Sequence, residues 1–433
     1  MILGIDIGTT SISIVVSRMD GTLLEVRTVG NDSALPGMEG FQRCQSPSRI
    51  LQLVWPVYEE LMLVHSLKRI GIACQMHGVL YVDRSGEAVS PLFTWQDESG
   101  VQPNAGSTYL DALNQITGYN MARGVAFGSI THFFLTKRGE LPASAVKMCT
   151  IGDYLAMRLT GNTRPRTHVS NAAGIGLYRL AQHDFDEEAI QRADMDPSYY
   201  PEVCDGYALA GYTAQGVPVS VAIGDNQASF MGAVDDWDGE ILLNLGTGGQ
   251  ISCRARAITE TGGIETRPLV GDDYLAVFTS HCGGRAYAAL EAFYRQVLEM
   301  AGIRCDSVYG AMERSMRFSA PAREKIIVRP AFCGTRLDPG ARCEIEGLTL
   351  SNFTPANLSR GFLEGICAEL YPFYERMRAQ RSFVAITGAG NAIRRNVELQ
   401  KAVREVFGLP LKMPRHAEEA ACGAVFFAAH MNC

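Results

Sequence analysis

The sequence predicts an α/β protein that is built from two related halves. The chain has 433 residues, whereas a single hydrophobic core usually stops growing at roughly 250–300 residues. Two segments, MILGIDIGTTSISIVVSR at the start and ILLNLGTGGQISCRA past the middle, follow one plan, in which an apolar strand ends in a Gly/Thr turn and runs into another strand. Because strands and helical patterns alternate along the chain, we expect an α/β fold with domains at residues 1–237 and 238–433.

The individual elements follow from apolar periodicity and turn residues. The first opening should form three strands, MILGID, SISIVVSR and TLLEVRTV, and later strands are predicted at RIGIACQ and SFVAITG, with a hairpin at VDRSGEA. Helices are predicted for residues 47–67, 126–137, 151–160, 284–301, 356–380, 394–407 and 418–430. The acidic turn VDDWDGE, residues 234–240, is the expected domain boundary or hinge.

The composition argues against several classes of partner. The hydrophobic fraction of 47% and the charged fraction of 20% are ordinary for a folded globular protein. The net charge of -7, without a Lys/Arg-rich run, argues against a nucleic-acid or anionic-membrane partner. The first residues lack the features of a secretion signal, and no stretch approaches the roughly 20 apolar residues of a membrane span. We therefore expect a cytoplasmic protein that binds neither membranes nor nucleic acid.

The cysteines do not indicate a disulfide framework or a zinc site. All 12 are scattered without metal-ligand spacing, so we expect them to be reduced and mostly buried. A catalytic thiol is disfavoured because no cysteine lies in a recognisable nucleophile context.

A Gly/Thr turn follows the first strand of each half. In Asp6-Ile7-Gly8-Thr9-Thr10, backbone N–H groups and Thr hydroxyls could bind phosphate oxygens, and Asp6 could hold Mg²⁺ or its waters. By itself this short motif is more typical of an ordinary hairpin turn. The second half supplies Leu245-Gly246-Thr247-Gly248-Gly249-Gln250 at the equivalent point, where small residues allow close approach of a phosphate. The pair of turns therefore favours nucleotide binding over the hairpin interpretation.

A third glycine cluster lies near the carboxyl end of the chain. Thr387-Gly388-Ala389-Gly390-Asn391 ends the strand SFVAI and opens a helix, which suits an adenosine or phosphate group. Ile393 stands where a dinucleotide fingerprint would have its third Gly or Ala, and the sequence contains no GxxxxGK[ST]. The dinucleotide and P-loop classes therefore do not fit.

Polar side chains follow three other apolar runs. Asp225 and Asn226 come after VPVSVAIG, the Gln75-Met76-His77 segment comes after RIGIAC, and Trp95-Gln96-Asp97 comes after SPLFT. Ligands of α/β proteins usually bind at strand ends. Each group also has a structural interpretation, because Asp225 is a favoured helix N-cap and a single strand-end His or Trp is more often packed or capped. No one of these groups identifies a function.

The motifs resemble those of a known family when they are taken in order. They are DIGTT at Asp6, QMHG at Gln75, WQD at Trp95, GDNQA at Gly224, LGTGGQ at Leu245, PAFCGTRLDPGARCEIEGLT from Pro330, GAGNA at Gly388 and EEAACGA at Glu418. This set resembles the FGGY carbohydrate kinases over nearly the whole chain. The resemblance implies two actin-like (ribonuclease H-like) domains with a deep interdomain cleft.

The resemblance also implies roles for individual residues. It implies an ATP- and Mg²⁺-dependent kinase of a small sugar, with Asp225 as the catalytic base and Asp6 at the metal. The sugar contacts implied are Met76, His77 and Asp97, with Gln75 and Asn226 as helpers. The nucleotide contacts expected from the resemblance and from the glycine turns are Thr9, Thr10, Gly246, Thr247, Gly388, Gly390 and Asn391.

The Met-His pair points to a ketose, because glycerol kinases of the family carry Arg-Glu at that position. The strings QMHGVLY, TWQD, TIGDYLAMRLTG and SNAAG are most similar to sedoheptulokinases and next to xylulokinases. Two departures are Ser99, where the family commonly has Arg, and GTR at Gly334, where GER is usual. The missing Arg leaves the exact sugar open, and polyols and sugar acids stay alternatives. The sequence also leaves open the physiological metal and the oligomeric state, a homodimer included.

Two functions of other classes are compatible with an actin-like fold. A non-catalytic ATP or sugar sensor is disfavoured because Asp225 and both phosphate-type turns are present. A chaperone-type ATPase is disfavoured because no segment resembles a peptide-binding domain. For a kinase, closure of the two halves would exclude water, which would otherwise compete as the phosphoryl acceptor.

Overall fold

The computed structural model describes residues 1–36, 39–259, 262–335, 338 and 340–431. Arg336, Leu337 and Pro339, which belong to the family-like stretch from Pro330, lie outside the described residues. The helices of the described part are α1 (Pro47–Val64), α2 (Tyr109–Thr117), α3 (Gly128–Arg138), α4 (Ile151–Thr160), α5 (Val169–Ile175), α6 (Glu187–Arg192), α7 (Asp225–Ala233), α8 (Gly283–Met300), α9 (Tyr309–Phe318), α10 (Pro355–Arg378), α11 (Asn391–Arg395), α12 (Val397–Phe407) and α13 (Glu419–Ala429).

The strands form two large sheets and several short ribbons. In chain order they are β1 (Ile2–Ile7), β2 (Ser11–Ser17), β3 (Leu23–Gly30), β4 (Cys44–Gln45), β5 (Arg69–Cys74), β6 (Leu80–Val82), β7 (Leu92–Phe93), β8 (Pro103–Asn104), β9 (Ser107–Thr108), β10 (Lys147–Cys149), β11 (Arg166–His168), β12 (Tyr178–Arg179), β13 (Asp184–Phe185), β14 (Glu202–Cys204), β15 (Leu209–Tyr212), β16 (Pro218–Gly224), β17 (Glu240–Leu245), β18 (Gly249–Ala255), β19 (Glu265–Pro268), β20 (Tyr274–Ser280), β21 (Ile327–Arg329), β22 (Glu344–Glu346), β23 (Ala385–Ala389) and β24 (Leu411–Lys412). Short 3-10 helices span Ser99–Val101 and Pro197–Tyr199.

The chain divides into two compact units that are not contiguous in sequence. The first unit comprises Met1–Gly232, Arg267–Tyr274 and Glu418–Cys433, and the second comprises Ala233–Thr266 and Leu275–Ala417. From the sequence we expect a single division between residues 237 and 238. That division places Arg267–Tyr274 and Glu418–Cys433 in the second half, whereas the structure groups them with the first unit. The difference arises because these segments pack against distant residues, and such packing leaves no local signal in the sequence.

The sheet of the first unit has the strand order β15-β16-β5-β1-β2-β3. Strand β2 pairs antiparallel with both β1 and β3, which confirms the predicted three-stranded opening. Strands β1, β5 and β16 run parallel to one another. The carboxyl ends of these three strands therefore lie at one edge of the sheet.

Side-chain alternation along the strands divides the sheet into two buried faces. On β1, Leu3, Ile5 and Ile7 join the core that also contains residues of α1 and α4. The alternate residue Ile2 packs with apolar residues of α13, among them Val425. Successive side chains of a strand point to opposite faces, so Asp6 lies on the α13 side of the sheet.

Helix α13 approaches this sheet closely because glycines lie beneath it. A Cβ added to Gly4 on β1 would lie 2.3 Å from the carbonyl oxygen of Ala421, and one added to Gly71 on β5 would lie 1.9 Å from that of Ala424. Real Cβ atoms do not approach a carbonyl oxygen this closely, so neither position accepts a side chain unless the helix moves. The small residues of EAACGAVFFAA and the two glycines together explain why this carboxyl-terminal helix belongs to the first unit.

A second core of the first unit lies among the shorter helices. Phe133 and Phe134 of α3 pack with Leu113 of α2, Ile175 of α5 and Ile190 of α6. Helices α2, α5 and α6, of nine, seven and six residues, are not among the predicted helices. This core supports α5, whose Gly174 contacts the strand-end histidine described below.

The second unit repeats the sheet plan of the first. Its strand order is β19-β20-β18-β17-β23-β24, with β17 antiparallel to β18 and parallel to β23. Apolar residues of β17 and β18 form one core with α8, α9, α10 and α12. The two sheet-containing α/β units confirm the predicted fold class and the predicted repetition of the strand–turn–strand opening.

The predicted helices agree closely with the observed ones. Helices α1, α3, α4, α8, α10, α12 and α13 fall on the seven predicted stretches, although residues 391–395 form the separate helix α11. No helix in the described residues is long and apolar enough to cross a membrane. The eleven cysteines of the described part carry free thiols, most of them buried, as expected.

We predict that Gly71→Ala destabilises the protein by about 1–3 kcal/mol, the usual cost of overpacking a core. The added methyl group would meet the backbone of α13, which cannot rotate away as a side chain could. Thermal unfolding should show a lower midpoint for Gly71→Ala than for Gly30→Ala, which adds a methyl group where no atom lies within 4 Å. Equal midpoints for the two variants would contradict this account of how α13 packs.

Candidate active site

Three predicted motifs meet at one edge of the first sheet. The parallel register places Ile7 opposite Cys74, and Cys74 opposite Gly224. The turn Gly8–Thr10, the Gln75–His77 segment and helix α7 begin directly after these residues. The structure thus brings together motifs that are separated by about 70 and 150 positions in the sequence.

Asp225 is the first residue of α7 and is partly buried. Burial raises the pKa of its carboxyl to about 6, while the N–H of Asn226 and the guanidinium of Arg267 act in the opposite direction. The carboxylate is then the prevailing form at neutral pH, yet it is more basic than an ordinary aspartate. These are the properties of a group that can accept a proton from a bound hydroxyl.

Asp6 projects from the same edge and lies in an unfavourable environment for an anion. Its Oδ1 atom is buried and has no hydrogen-bond partner in the described part of the chain. Burial, and then the charges of Asp225 and Glu419, raise the pKa of Asp6 well above its ordinary value. A bound divalent cation would relieve this crowding of negative charge.

The carboxylates do not form a complete metal cage. Within the described ranges, no group of three or more His, Cys, Asp or Glu side chains is placed to hold a metal ion. Mg²⁺ commonly keeps several waters and binds through one or two carboxylates together with substrate phosphates. Asp6 fits that mode of binding.

A closed ring of hydrogen bonds fixes the first Gly/Thr turn. The Thr9 hydroxyl donates to Gln75 Oε1 at 3.0 Å, Gln75 Nε2 donates to Gln45 Oε1 at 2.8 Å, and Gln45 Nε2 donates to the Thr9 carbonyl at 2.8 Å. The indole Nε1 of Trp95 donates to the Thr9 hydroxyl at 2.9 Å. The buried amide of Gln75 therefore orients the turn, and its predicted contact with the sugar stays a prediction. Sequence reasoning missed Gln45, which lies in the two-residue strand β4 and carries no motif.

The backbone carbonyl groups of the same turn accept hydrogen bonds from the surrounding protein. Asn31 donates from Nδ2 to the Gly8 carbonyl at 2.8 Å and from its backbone N–H to the Thr10 carbonyl at 2.9 Å. In a trans peptide the N–H points away from the C=O. The amides of Thr9 and Thr10 consequently point away from the groups that bind the carbonyls, as a phosphate-binding turn requires.

The turn of the second unit has the same arrangement. The backbone N–H groups of Gly284 and Arg285 donate to the carbonyls of Gly246 and Thr247 at 2.9 and 3.1 Å. The first N–H groups of α8 are therefore used to hold the turn, and the exposed Thr247 lies at its tip. A Cβ on Gly284 would lie 2.3 Å from the Gly246 oxygen, so glycine is needed for this contact.

The late glycine cluster lies beside that turn. Gly390 has a φ of 88°, and a Cβ there would lie 2.6 Å from both the Asn244 Oδ1 and the Leu245 carbonyl oxygen. Asn391 is exposed at the start of α11. Gly388 is different, because it is buried within β23 and its added Cβ would meet Ile393 at 2.7 Å. Core packing explains the glycine at 388, and its contact with a nucleotide stays a prediction.

The His77 ring presents one defined hydrogen-bonding atom. Its Nδ1 lies 2.9 Å from the Gly174 carbonyl, which can only accept, so Nδ1 carries the proton. Burial, together with the positive charge of Arg267, lowers the pKa of His77 to about 3. The ring is therefore neutral, and Nε2 is an acceptor. The positive φ of 72° at His77 shows that the backbone is constrained to hold the ring here.

Asn226 is also oriented, and the residue that orients it was not predicted. Arg267 Nη1 donates to Asn226 Oδ1 at 3.0 Å. Because guanidinium groups only donate, the amide oxygen must face Arg267 and the NH₂ group must face the other way. Arg267 lies 41 residues after Asn226 in the chain and follows no motif, so sequence reasoning had no signal for it.

The other two predicted sugar residues differ in their environment. Asp97 is buried, and its oxygens accept from the backbone N–H groups of Arg43 at 3.2 Å and Ser99 at 3.0 Å. Burial raises its pKa, and these hydrogen bonds oppose the rise. Met76 packs against Gly224, where an added Cβ would lie 2.8 Å from the Met76 sulfur. Met76 therefore serves packing beneath the site, and Ser99 is fully buried as a support of Asp97.

Comparison with known proteins agrees with this arrangement. Residues 1–232 match the N-terminal domain of the FGGY family of carbohydrate kinases, and residues 280–431 match its C-terminal domain. The chain is 26% identical to sedoheptulokinase from Homo sapiens, over 99% of this chain and 98% of the relative. It is 25% identical to glycerol kinase from Gluconobacter oxydans, over 99% of this chain and 86% of the relative.

The fold is likewise that of solved sugar kinases. A ligand-bound xylulose kinase from Lactobacillus acidophilus superposes with a TM-score of 0.82 at 21% identity, over 99% of this chain and 88% of that one. This similarity confirms the predicted actin-like fold. Because both family domains match and together span most of the sequence, the chain belongs to the FGGY family of carbohydrate kinases and is an ATP-dependent carbohydrate kinase.

Proposed function

We propose that the protein phosphorylates a ketose at a terminal primary hydroxyl, with Asp225 as the catalytic base. The observation that carries this proposal is the position of Asp225, which directly follows β16 at the same sheet edge as Asp6 and His77 and has a pKa of about 6. A role as helix cap alone would not explain why Asp225 lies close enough to Asp6 to raise the pKa of that carboxyl.

In the proposed reaction Asp225 accepts the proton of the sugar hydroxyl while the oxygen of that hydroxyl attacks the γ-phosphorus of ATP. The bond from that phosphorus to the bridging oxygen breaks, and ADP leaves with the electron pair. Such a transfer depends mainly on positioning and on stabilisation of charge. Asp6 would hold Mg²⁺, which when bound neutralises charge on the phosphates.

Residues of both units are proposed to bind the nucleotide. The outward amides of Thr9 and Thr10 in the first turn, and of Thr247 and Gly248 in the second, suit phosphate oxygens because backbone N–H groups bind anions. Gly246 donates its own N–H to the Gly248 carbonyl at 3.0 Å, and we propose that it lets a phosphate approach this turn closely. Gly390 and Asn391 lie beside the second turn and suit the nucleoside, and Gly388 supports them. We further propose that residues 234–240 serve as a hinge, so that the units close on their substrates and exclude water.

The proposed acceptor site is rich in fixed hydrogen-bonding groups. Nε2 of His77 and the carboxylate of Asp97 accept hydrogen bonds, while the NH₂ group of Asn226 donates. A sugar with several hydroxyls can satisfy such a set, whereas glycerol would leave some groups unpaired at a cost in binding. We therefore place sedoheptulose first and xylulose second, with other polyols and sugar acids as alternatives.

The charge of the enzyme bears on its partners. The net charge of -7 supports an enzyme of small metabolites that binds neither nucleic acid nor anionic membranes, and we propose a cytoplasmic location for it. We propose this setting, with a homodimer as the oligomeric state to test.

We predict that Asp225→Asn lowers kcat by roughly 10²–10⁴, the usual contribution of a positioned general base. The amide keeps the shape of the side chain but cannot take up the proton. A coupled ADP-release assay measures the loss, and equilibrium binding of ATP should be unchanged. Asp194→Asn, at an exposed ion pair with Lys137, is the matched control; near wild-type turnover in Asp225→Asn would remove Asp225 from the mechanism.

We predict that Gly284→Ala raises the KM for ATP at least about tenfold while the KM for the sugar changes little. The methyl group would displace the turn at Gly246, which belongs to the nucleotide part of the proposed site. Gly310→Ala is the control, since its added Cβ meets only the end of the Arg314 side chain at 3.3 Å. Equal losses for both substrates would point to misfolding of the unit rather than to a displaced turn.

We predict that kcat/KM decreases in the order sedoheptulose, xylulose, glycerol, and that His77→Ala and Asp97→Asn each raise the KM for the ketose. His77→Ala removes a neutral acceptor for a hydroxyl, which costs about 0.5–1.5 kcal/mol, and Asp97→Asn replaces a charged acceptor by a neutral one, where a hydrogen bond to the charged group contributes about 1.5–3 kcal/mol. His430→Ala is the control, because His430 makes the same type of bond to a backbone carbonyl but is exposed. A higher kcat/KM with glycerol, or an unchanged sugar KM in both variants, would contradict this pocket.

A further inference from the structure

Arg267 and the residue after it hold the two residues that follow Asp225. The guanidinium of Arg267 binds Asn226 Oδ1 at 3.0 Å, and the carbonyl of Pro268 accepts from Gln227 Nε2 at 2.9 Å. Gln227 and Pro268 are both buried. The start of α7 is thus fastened by two consecutive residues of a distant chain segment.

That segment is grouped with the first unit by its contacts, although Arg267 and Pro268 are also the last two residues of β19. The backbone of Leu269–Asp273 closes a tight turn, in which Leu269 N–H donates to the Asp273 carbonyl at 2.9 Å. Gly271 has a φ of 54° within this turn, and its N–H donates to Asp205 Oδ1 at 2.9 Å. The guanidinium therefore extends from a backbone that cannot shift easily.

The charge of Arg267 also acts on the groups around it. It favours the ionised form of Asp225 against the effect of burial, and it disfavours protonation of His77. Burial in turn lowers the pKa of Arg267 to about 10, while Asp225 acts in the opposite direction, so the guanidinium is still charged at neutral pH. The guanidinium of Arg267 thus orients Asn226 by a hydrogen bond and acts electrostatically on Asp225 and His77.

We propose that Arg267 is a positioning residue of the phosphoryl-transfer site, which acts on the acceptor sugar through Asn226, the residue next to Asp225. This inference rests on the proposed function, since the placement of Asp225 matters only if it is the base. The competing account is that Arg267 merely fastens residues 267–274 to the unit. The two accounts differ in what a side chain of similar length but without charge would do.

The test compares Arg267→Met, Arg267→Lys and Arg267→Ala with Arg123→Met, an exposed arginine whose ion pair with Asp111 lies on the surface of the same unit. We expect Arg267→Met to lower kcat about 10- to 100-fold, in the range seen when one preorganised donor is removed, and Arg267→Lys to recover part of the loss. Added guanidinium ion at millimolar concentration should partly restore Arg267→Ala, whereas the same concentration of urea should not. Arg123→Met should behave as wild type.

A double mutant shows whether Arg267 acts through Asn226. If it does, Arg267→Met should lower kcat/KM less in an Asn226→Ala background than in the wild type, since coupled residues are not additive. Retention of kcat and sugar KM within twofold in folded Arg267→Met overturns the inference, and so does a loss that neither lysine nor guanidinium ion restores. If Asp225→Asn is inactive while Arg267→Met is active, only this inference fails; if Asp225→Asn is fully active, the proposed function itself fails.

Discussion

The parallel register of β1, β5 and β16 is the constraint on which the candidate site depends. When parallel strands end in register, the residues that follow them lie at one edge of the sheet. Here the residues that follow are a Gly/Thr turn, a histidine on a strained backbone and the start of α7. The same register brings two carboxylates, Asp6 and Asp225, into electrostatic contact while both lose solvent.

Arg267 and the expected cation counter that charge in different ways. Arg267 belongs to the fold and opposes the effect of burial on Asp225, whose carboxyl has a pKa of about 6 and is mostly ionised at neutral pH. Among the residues that the structure describes, none forms a hydrogen bond with the buried Oδ1 of Asp6, which suits this atom to the proposed cation. One carboxylate thus has a permanent cationic neighbour, and the other would bind the proposed metal. This difference separates the proposed base from the proposed metal ligand in physical terms.

The carbonyl groups of both phosphate-type turns accept hydrogen bonds from the protein, but the donors differ between the two turns. In each turn the carbonyl groups are bound by the surrounding protein, so the amides point the other way. In the first unit side chains of Asn31 and Gln45 do this, whereas in the second the opening N–H groups of α8 do it directly. Direct backbone contact requires the closest approach, and glycine at 284 permits it. The glycines of these motifs therefore serve packing as much as ligand access.

The sequence by itself determined the fold class, the repeated opening and most helices, because apolar periodicity and turn residues are local signals. It also placed Asp6, His77 and Asp225 at strand ends, which is why they meet once the strands are parallel. Only the tertiary structure decided which distant residues lie together. It showed that α13 and Arg267–Tyr274 belong to the first unit, that Gln45 completes the ring of hydrogen bonds with Thr9, and that Arg267 orients Asn226. These contacts join residues far apart in the chain, and neither partner carries a pattern that reveals the other. Local physics specifies each element, whereas long-range packing specifies which side chains share a site.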